Sequence, residues 1–249
     1  MSFANNRGIR IHYETYGKGP ALVLQHGTSL SGADWIDLGF VEPLREDHQL
    51  ILIDARGHGD SDKPHDPAAY DLSLRAGDVV SVLDDLGIQK ADFFGYSLGG
   101  YIGFGLAKHA PERFNSFIFG GAHPYAENMQ ALRDRMPTSR EVFAAGVDQV
   151  FGNLLKPGMR ARLINNDLEA LQVLTHDRVS IADVLPSMTM PCLLFVGELD
   201  PRLPQVKECA SQLPSATFFT LSGCDHITAL GRVDLVMPQI KTFLSKVPR

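Results

Sequence analysis

The sequence predicts an α/β fold in which helices cover both faces of a mostly parallel sheet. Short apolar runs without polar alternation are followed by longer segments whose apolar residues recur every three or four positions. The first pattern is typical of strands buried on both faces, and the second is typical of amphipathic helices. Their alternation along the chain indicates parallel strands joined by right-handed helical crossovers.

Six short runs are the candidate strands of this sheet. The strong runs are residues 21–25, 49–53, 91–94 and 192–196, and two runs with more polar residues are 114–119 and 217–221. Residues 9–16 alternate between apolar and polar side chains instead. That alternation predicts a half-exposed antiparallel strand at the edge of the sheet.

Helical spacing connects the candidate strands. It is clearest at residues 72–86, 97–109 and 233–246. One stretch, residues 123–187, holds three helical segments and no convincing strand; the segments are 125–136, 139–155 and 158–176. We therefore expect a core domain formed by residues 1–122 and 188–249, with residues 123–187 as a helical insertion between its two parts.

Composition limits the possible partners. The chain has 249 residues, with 23 lysines and arginines against 29 aspartates and glutamates, so its net charge is −6. Nucleic-acid binding requires a basic surface that neutralises phosphates, and the sequence has no run of five like charges. No apolar run approaches the ~18 residues that span a bilayer. We expect neither a nucleic-acid partner nor a membrane partner.

The cysteines and the first residues bear on location. Cys192, Cys209 and Cys224 are an odd number, and their spacing matches neither a disulfide framework nor a zinc site. The opening residues lack the apolar stretch of a signal peptide. The sequence therefore predicts a cytoplasmic protein with reduced thiols.

The motif Gly95-Tyr96-Ser97-Leu98-Gly99 is the most specific chemical signal. It follows an apolar strand and precedes a helical pattern, which is the setting in which G-x-S-x-G carries a nucleophile. The glycines permit a sharp turn that exposes the serine hydroxyl near a helix N-terminus, where developing negative charge is stabilised. Ser97 is the candidate nucleophile. A glycine-rich turn with an idle serine is the alternative.

The sequence His26-Gly27-Thr28 directly follows the run 21–25. An oxyanion hole in such a fold takes one backbone N–H from this loop and one from the residue after the nucleophile. The candidate donors are therefore the amides of Thr28 and Leu98. His26 is expected to hold the loop through its ring nitrogens rather than to react.

The candidate acid and base each follow a later strand. Asp200 comes after the run 192–196, and His226 comes after the run 217–221. Loops at the carboxyl ends of parallel strands carry functional side chains. Glu198 and Asp225 are the alternative acids, but Glu198 is nearer the strand, and Asp225 is adjacent to His226 and poorly placed to turn back on it. The order serine, acid, histidine favours Asp200.

The chain resembles the α/β-hydrolase-fold serine hydrolases along nearly its whole length. Residues 54–61 (DARGHGDS) resemble the D-x-R-G-x-G-x-S turn of that family, and residues 110–113 (APER) resemble its P-E-R segment. The resemblance implies an eight-stranded, mostly parallel sheet with a small helical cap after the sixth strand. Small esterases, enol-lactonases and cofactor-free perhydrolases share this layout.

These observations predict a serine esterase that acts on small to medium carboxylic esters without a cofactor. Lactone hydrolysis, cleavage of a carbon–carbon bond in a diketone and perhydrolysis are the alternatives, since the same three residues serve each. A non-catalytic receptor is a more distant alternative. The cap side chains expected to contact substrate are His123, Met129 and Phe143. No histidine pair has metal-ligand spacing, so no metal site is expected, and the oligomeric state is left open.

Overall fold

The computed structural model describes residues 1–134 and 139–248. Its strands are β1 Ser2–Asn6, β2 Ile9–Tyr16, β3 Ala21–Gln25, β4 Gln49–Ile53, β5 Ala91–Tyr96, β6 Phe114–Gly120, β7 Cys192–Gly197 and β8 Ala216–Leu221. Its α-helices are α1 Asp34–Asp37, α2 Val41–Leu44, α3 Leu72–Asp85, α4 Leu98–His109, α5 Gln130–Arg133, α6 Arg140–Phe151, α7 Pro157–Ile164, α8 Leu168–Leu174, α9 Leu203–Gln212, α10 His226–Gly231 and α11 Val233–Leu244. None of the helices in these described ranges is long and apolar enough to cross a membrane.

The eight strands form one sheet in the order β1-β2-β4-β3-β5-β6-β7-β8. β2 pairs with β1 and β4 in antiparallel orientation, and the other neighbouring strands are parallel. Every residue of β3, β5 and β7 is buried. The predicted fold class is confirmed, because runs without polar alternation are covered on both faces.

The prediction that residues 9–16 form the edge strand is wrong. β2 lies between β1 and β4, and β1 is the edge strand. β1 reads SFANN, which is too short and too polar to show a strand pattern by itself. Hydrogen bonding to β2 makes it a strand, so tertiary pairing decides what the local sequence does not.

Residues 123–187, here called the cap segment, lie between β6 and β7. Predicted segment 139–155 contains α6, and predicted segment 158–176 contains α7 and α8. These two helices are separate because the Asp167 side chain caps α8, accepting a hydrogen bond from the Ala170 amide at 3.0 Å. Predicted segment 125–136 contains the single turn α5, and its last two residues lie outside the described part of the chain. The division into core and cap stays a prediction.

The two ends of the cap segment are joined. The Glu127 amide donates to the Arg178 carbonyl at 3.1 Å, and the Arg178 amide donates to the Glu127 carbonyl at 3.0 Å. A third backbone bond runs from the Ile181 amide to the Pro124 carbonyl at 2.8 Å. The segment therefore leaves and re-enters the sheet through one hydrogen-bonded stem.

Asp54 organises the turn at residues 54–61, after β4. Its carboxylate accepts hydrogen bonds from the Gly32 amide at 2.7 Å and the Asp60 amide at 2.8 Å, and it lies 2.9 Å from His12 Nδ1. Burial by itself raises the pKa of Asp54, but these hydrogen bonds outweigh it and lower the pKa to about 2. The turn is therefore fixed around a charged carboxylate.

Arg56, from the same turn, forms a buried ion pair with Asp78 of α3. Arg56 Nε lies 2.6 Å from Asp78 Oδ2, and Arg56 Nη2 lies 2.5 Å from Asp78 Oδ1. Asn6 of β1 also donates to Asp78 Oδ1, at 2.8 Å. The two charged side chains are only 2% and 4% exposed. One carboxylate thus joins the turn, the edge strand and α3.

The three cysteines are buried and free. Burial raises the pKa of Cys192 to about 12 and also raises that of Cys209. These two thiols therefore stay protonated near neutral pH, and a protonated, buried thiol is a poor nucleophile.

We predict that Asp78→Ala lowers the free energy of unfolding by about 3–5 kcal/mol, because it leaves the Arg56 guanidinium buried without its carboxylate. Guanidinium denaturation monitored by circular dichroism measures the change. Asp234→Ala is the matched control, since it breaks an ion pair with Arg232 at the surface, where solvent screens such pairs and they contribute little. Equal losses in the two variants would contradict the prediction.

Candidate active site

Ser97 lies on a strained turn between β5 and α4. Its backbone has φ 54°, a left-handed conformation that residues other than glycine rarely adopt. The Ser97 amide is fixed by a hydrogen bond of 2.8 Å to the carbonyl of Gly120, at the end of β6. Strain of this kind persists only where the surroundings hold it, and it concentrates at functional sites.

The two glycines of the motif allow this turn. A Cβ atom on Gly95 would collide with the backbone of Gly99, across the turn. A Cβ atom on Gly99 would collide with the carbonyl group of Gln25, at the end of β3. The glycines therefore let α4 begin directly against the sheet, which directs the Ser97 side chain to the carboxyl edge of the strands.

Ser97, His226 and Asp200 form one hydrogen-bonded chain. The Ser97 Oγ lies 3.0 Å from His226 Nε2, and His226 Nδ1 lies 2.6 Å from Asp200 Oδ2. The serine and the histidine are half-buried, whereas Asp200 is buried. The structure thus brings together the three residues that the sequence analysis selected from three separate loops.

The Asp200 carboxylate is ionised. Burial by itself raises its pKa, but the hydrogen bond to His226 and its charge interaction with that ring lower it, and so does the Arg202 amide, which donates at 2.9 Å. The resulting pKa is below the ordinary value for an aspartate. A negative charge is therefore present where it can orient the imidazole and stabilise its protonated form.

The two alternative acids have other partners. Asp225 is the N-cap of α10, and its carboxylate accepts from the amides of Ile227 and Thr228 at 3.0 and 2.8 Å. Glu198 accepts from the Ser222 hydroxyl at 2.8 Å. The geometry therefore favours Asp200 over both.

The backbone segments that contain Thr28 and Leu98 both approach Ser97. Leu98 is the first residue of α4, so its N–H is among those that have no acceptor inside the helix. Thr28 follows Gly27, and a Cβ atom on Gly27 would lie 3.4 Å from Ser97 Cβ. Both segments thus approach the serine, and the role of the two amides as oxyanion donors stays a prediction.

Two neutral histidines hold the loop that contains Thr28. His26 Nε2 accepts from the Ala55 amide at 3.0 Å, and His58 Nε2 accepts from the Ser29 amide at 3.1 Å. Each Nδ1 must then carry the proton, which it donates to a carbonyl oxygen: that of Gly27 for His26 and that of Arg56 for His58. His26 has the structural role expected from the sequence, whereas the sequence analysis did not assign such a role to His58.

Burial keeps both rings uncharged. It lowers the pKa of His26, and it lowers the pKa of His58 to about 3 with help from the neighbouring His26. The ring centroids are 5.1 Å apart, so a charge on either ring would also repel a charge on the other. The loop geometry therefore requires unprotonated imidazoles.

The cap segment fixes the same loop from outside. Asn166 donates to the Ser29 carbonyl at 2.7 Å, and Ser29 itself has φ 69°. Arg162 of α7 lies 2.6 Å from Asp34 and also pairs with Asp37, on α1. No sequence motif marks these contacts, because they join residues more than 120 positions apart.

Arg202 also contacts His226, and the sequence analysis missed this positively charged residue. Its Nη1 atom lies 3.4 Å from both ring nitrogens of His226. Its Nε atom lies 2.7 Å from Glu127 Oε1, and Glu127 Oε2 lies 3.0 Å from Arg178. The only sequence signal was its place two residues after Asp200.

The cap residues expected to touch substrate are buried. His123 is 4% exposed, and burial, with Arg202 and Arg178 nearby, lowers its pKa to about 4 despite Glu127. Met129 and Phe143 are 5% and 6% exposed. Phe143 belongs to the main hydrophobic core. Substrate contact by these three side chains stays a prediction.

A cavity of about 300 Å³ lies between β2, the turn at 54–61 and α7, and Ser97 does not line it. His12, Asp54 and Asp60 border it, and their potential ligand atoms lie within 4.8 Å of one another. Asp54 already accepts two backbone amides and contacts the His12 ring. Hydrogen bonding inside the turn therefore accounts for this cluster.

We predict that His58→Gln makes the free energy of unfolding depend less steeply on pH in the acid range. Between pH 6.5 and about 3 the unfolded chain binds a proton at this position that the folded chain does not, so the free energy of unfolding falls as the pH falls. Without that proton, the slope between pH 6 and pH 4 should decrease by about 1.4 kcal/mol per pH unit. Urea denaturation across this range measures it.

His65→Gln is the control for this prediction. A hydrogen bond to Asp167 raises the pKa of the exposed His65, so its contribution to stability is fully present below pH 6.5 and is lost only as the pH rises above that value. That variant should keep the wild-type slope between pH 6 and pH 4. An unchanged slope in His58→Gln would show that the folded protein binds the proton after all.

Comparison with known proteins agrees with this architecture. The family model described as "alpha/beta hydrolase fold" matches residues 20–163. The pimeloyl-[acyl-carrier protein] methyl ester esterase of Vibrio parahaemolyticus is 27% identical over 94% of this chain and 97% of its own length. The 3-oxoadipate enol-lactonase 2 of Acinetobacter baylyi is 29% identical over 78% of this chain and 77% of its own length.

A solved structure supports the fold as well. The enol-lactonase from Burkholderia xenovorans superposes with a TM-score of 0.86, at 23% identity, over 98% of this chain and all of that chain. At this identity the likeness concerns the fold alone. The predicted resemblance and the eight-stranded sheet are thereby confirmed. The chain belongs to the α/β-hydrolase fold family.

Proposed function

We propose that the protein hydrolyses carboxylic esters of small to medium size through an acyl-enzyme on Ser97. The observation that carries this proposal is the hydrogen-bonded chain from Ser97 through His226 to Asp200, with Ser97 on a strained turn. Relatives named as a methyl ester esterase and an enol-lactonase support carboxylic ester hydrolysis. No cofactor enters the proposed steps.

Acylation begins when the Ser97 oxygen attacks the ester carbonyl carbon. The hydroxyl proton passes to His226 Nε2 over the 3.0 Å contact, and the carbonyl electron pair moves onto the oxygen. When the carbonyl re-forms, the bond to the alcohol oxygen breaks with its electron pair on that oxygen. The alcohol then takes the proton from Nε2, leaving Ser97 acylated and His226 neutral.

The negative oxygen of the intermediate is proposed to bind the amides of Leu98 and Thr28. Such donors act on charge that develops only during the reaction, so they accelerate the chemical step rather than tighten substrate binding. A donor of this kind commonly contributes ~3–4 kcal/mol. The positive end of α4 adds to the stabilisation.

Deacylation repeats these steps with water as the nucleophile. Water attacks the acyl carbon and gives a proton to His226 Nε2, and a second oxyanion forms. Its collapse breaks the bond to Ser97 Oγ, which takes the proton back. The products are a carboxylic acid and an alcohol, and the protein returns to its starting state.

Lactone hydrolysis is the second candidate, since the relatives include an enol-lactonase. A lactone is a cyclic ester, so the same steps apply and the leaving oxygen stays attached to the acyl group.

We further propose that residues 123–187 act as a cap over residues 1–122 and 188–249. We also propose that the protein is cytoplasmic and that its binding partner is a small ester-like molecule, its substrate.

The first test is the loss of the nucleophile. We expect Ser97→Ala to lower kcat for short p-nitrophenyl esters on the order of 10⁶-fold, because the three residues act as a unit. A fluorophosphonate probe should add once to the wild type, at Ser97, as measured by intact mass. Ser211→Ala, which changes an exposed serine on α9, should keep both properties.

Two outcomes would refute the proposed function. One is a wild type that neither hydrolyses any ester or lactone of a panel nor reacts with the probe, as a non-catalytic receptor would. The other is a Ser97→Ala variant that retains most of the wild-type rate. Activity confined to diketones or to perhydrolysis would keep the nucleophile but change the reaction.

A second test concerns the cap. Asn166→Ala removes the hydrogen bond to the Ser29 carbonyl and frees the loop that holds Thr28. We expect kcat to fall about tenfold with KM little changed, because a misplaced oxyanion donor affects the transition state. The neighbouring exposed Asn165→Ala should keep the wild-type kcat. A change confined to KM would assign Asn166 to substrate binding instead.

A further inference from the structure

The Arg202 guanidinium lies over the face of the His226 ring. Its Nη1 atom is 3.4 Å from both ring nitrogens. In the plane of the ring, Nδ1 already contacts Asp200 at 2.6 Å and Nε2 contacts Ser97 at 3.0 Å. The guanidinium can therefore approach only from above the ring.

Glu127 and Arg178 hold this guanidinium from the other side. Arg202 Nε and Nη2 lie 2.7 and 2.6 Å from Glu127 Oε1. The second oxygen of Glu127 is occupied by Arg178, whose guanidinium lies 4.8 Å from the ring of Tyr101. Glu127 thus contacts Nε and Nη2 and leaves Nη1 beside His226, and the Arg202 side chain is 18% exposed.

The charged side chains around His226 compensate one another before the reaction starts. Arg178 and Arg202 carry two positive charges, and Glu127 and Asp200 carry two negative ones. Glu127 is shared between the two arginines. An anionic group beside Nη1 would therefore meet a guanidinium that has no carboxylate of its own.

The position of the leaving group is set by the same histidine. The alcohol oxygen takes its proton from Nε2, so it must lie within about 2.6–3.2 Å of that atom. Arg202 Nη1 is 3.4 Å from the same nitrogen. A carboxylate one or two carbon atoms from the leaving oxygen therefore falls within reach of the Nη1 hydrogens.

We propose that Arg202 binds a carboxylate on the alcohol part of the substrate, so that the preferred substrates are esters or lactones whose leaving oxygen lies one or two carbon atoms from a carboxylate. This specificity rests on the proposed ester hydrolysis at Ser97. The net charge of −6 disfavours anionic substrates in general, so a preference for them requires a local cation.

Carboxymethyl butyrate and carbamoylmethyl butyrate test the proposal. They share the acyl group and nearly the same shape, and they differ in one charge on the alcohol part. After correction for their rates with hydroxide, we expect the wild type to prefer the carboxylate at least about tenfold in kcat/KM, as for a hydrogen bond between charged groups. Butyrate release measured by chromatography gives both rates.

Arg202→Gln and Arg202→Met should reduce the ratio of the two rates to about one, and Arg202→Lys should retain part of the preference. The ratio is taken within each variant, so incomplete folding cancels. Arg160→Met is the matched control: it removes an exposed arginine paired with Asp148, and it should keep the wild-type ratio. Monomethyl succinate and methyl succinamate place the charge on the acyl part, where the ratio should not depend on Arg202.

The possible outcomes separate the two proposals. A wild type that hydrolyses carbamoylmethyl butyrate but shows no preference for the carboxylate overturns the role of Arg202 and leaves ester hydrolysis standing. A preference that survives in Arg202→Gln and Arg202→Met also overturns it, as does a dependence on Arg202 that appears only with the succinates. A wild type that hydrolyses other esters or lactones but none of these four overturns the role of Arg202, whereas failure on the whole panel without any reaction with the fluorophosphonate probe overturns the proposed function itself.

Discussion

The close packing of α4 against the ends of β3 and β5 is the constraint on which the site depends. Gly99 meets the carbonyl group of Gln25, so the helix starts where the sheet ends and Ser97 must adopt a left-handed conformation. Any larger residue at the glycine would push the helix outward. Ser97, the loop with Thr28 and the start of α4 meet at this contact. The contact between Gly99 and Gln25 therefore sets the positions of both the nucleophile and the candidate oxyanion donors.

The surroundings are built to keep that geometry rigid. Two uncharged histidines and Asn166 fix the loop after β3, and the charged Asp54 fixes the turn after β4. Burying neutral imidazoles reduces stability in acid, and placing a backbone in a rare conformation reduces it at any pH. The buried pair of Arg56 and Asp78 ties the same turn to α3 and the edge strand, so the core supports a site that is itself unfavourable.

Sequence reasoning succeeded where the determinants are local. Apolar runs identified the buried strands, and the glycine spacing around Ser97 identified the turn, because a sharp strand–helix connection restricts its own residues. It failed for β1, whose five residues form a strand only through pairing with β2. It could not find Asn166 or Arg202 either, since neither contact leaves a pattern in neighbouring residues.

By itself, the sequence determined the fold class, the candidate nucleophile and base, a short set of candidate acids that favoured Asp200, and the order of these residues along the chain. Only the tertiary structure decided that Asp200, rather than Glu198 or Asp225, contacts His226, and that Arg202 lies above the ring. The physical reason is the range of each interaction. Helix and strand patterns arise among residues a few positions apart, whereas the charges around His226 come from the cap segment and from the loop after β7.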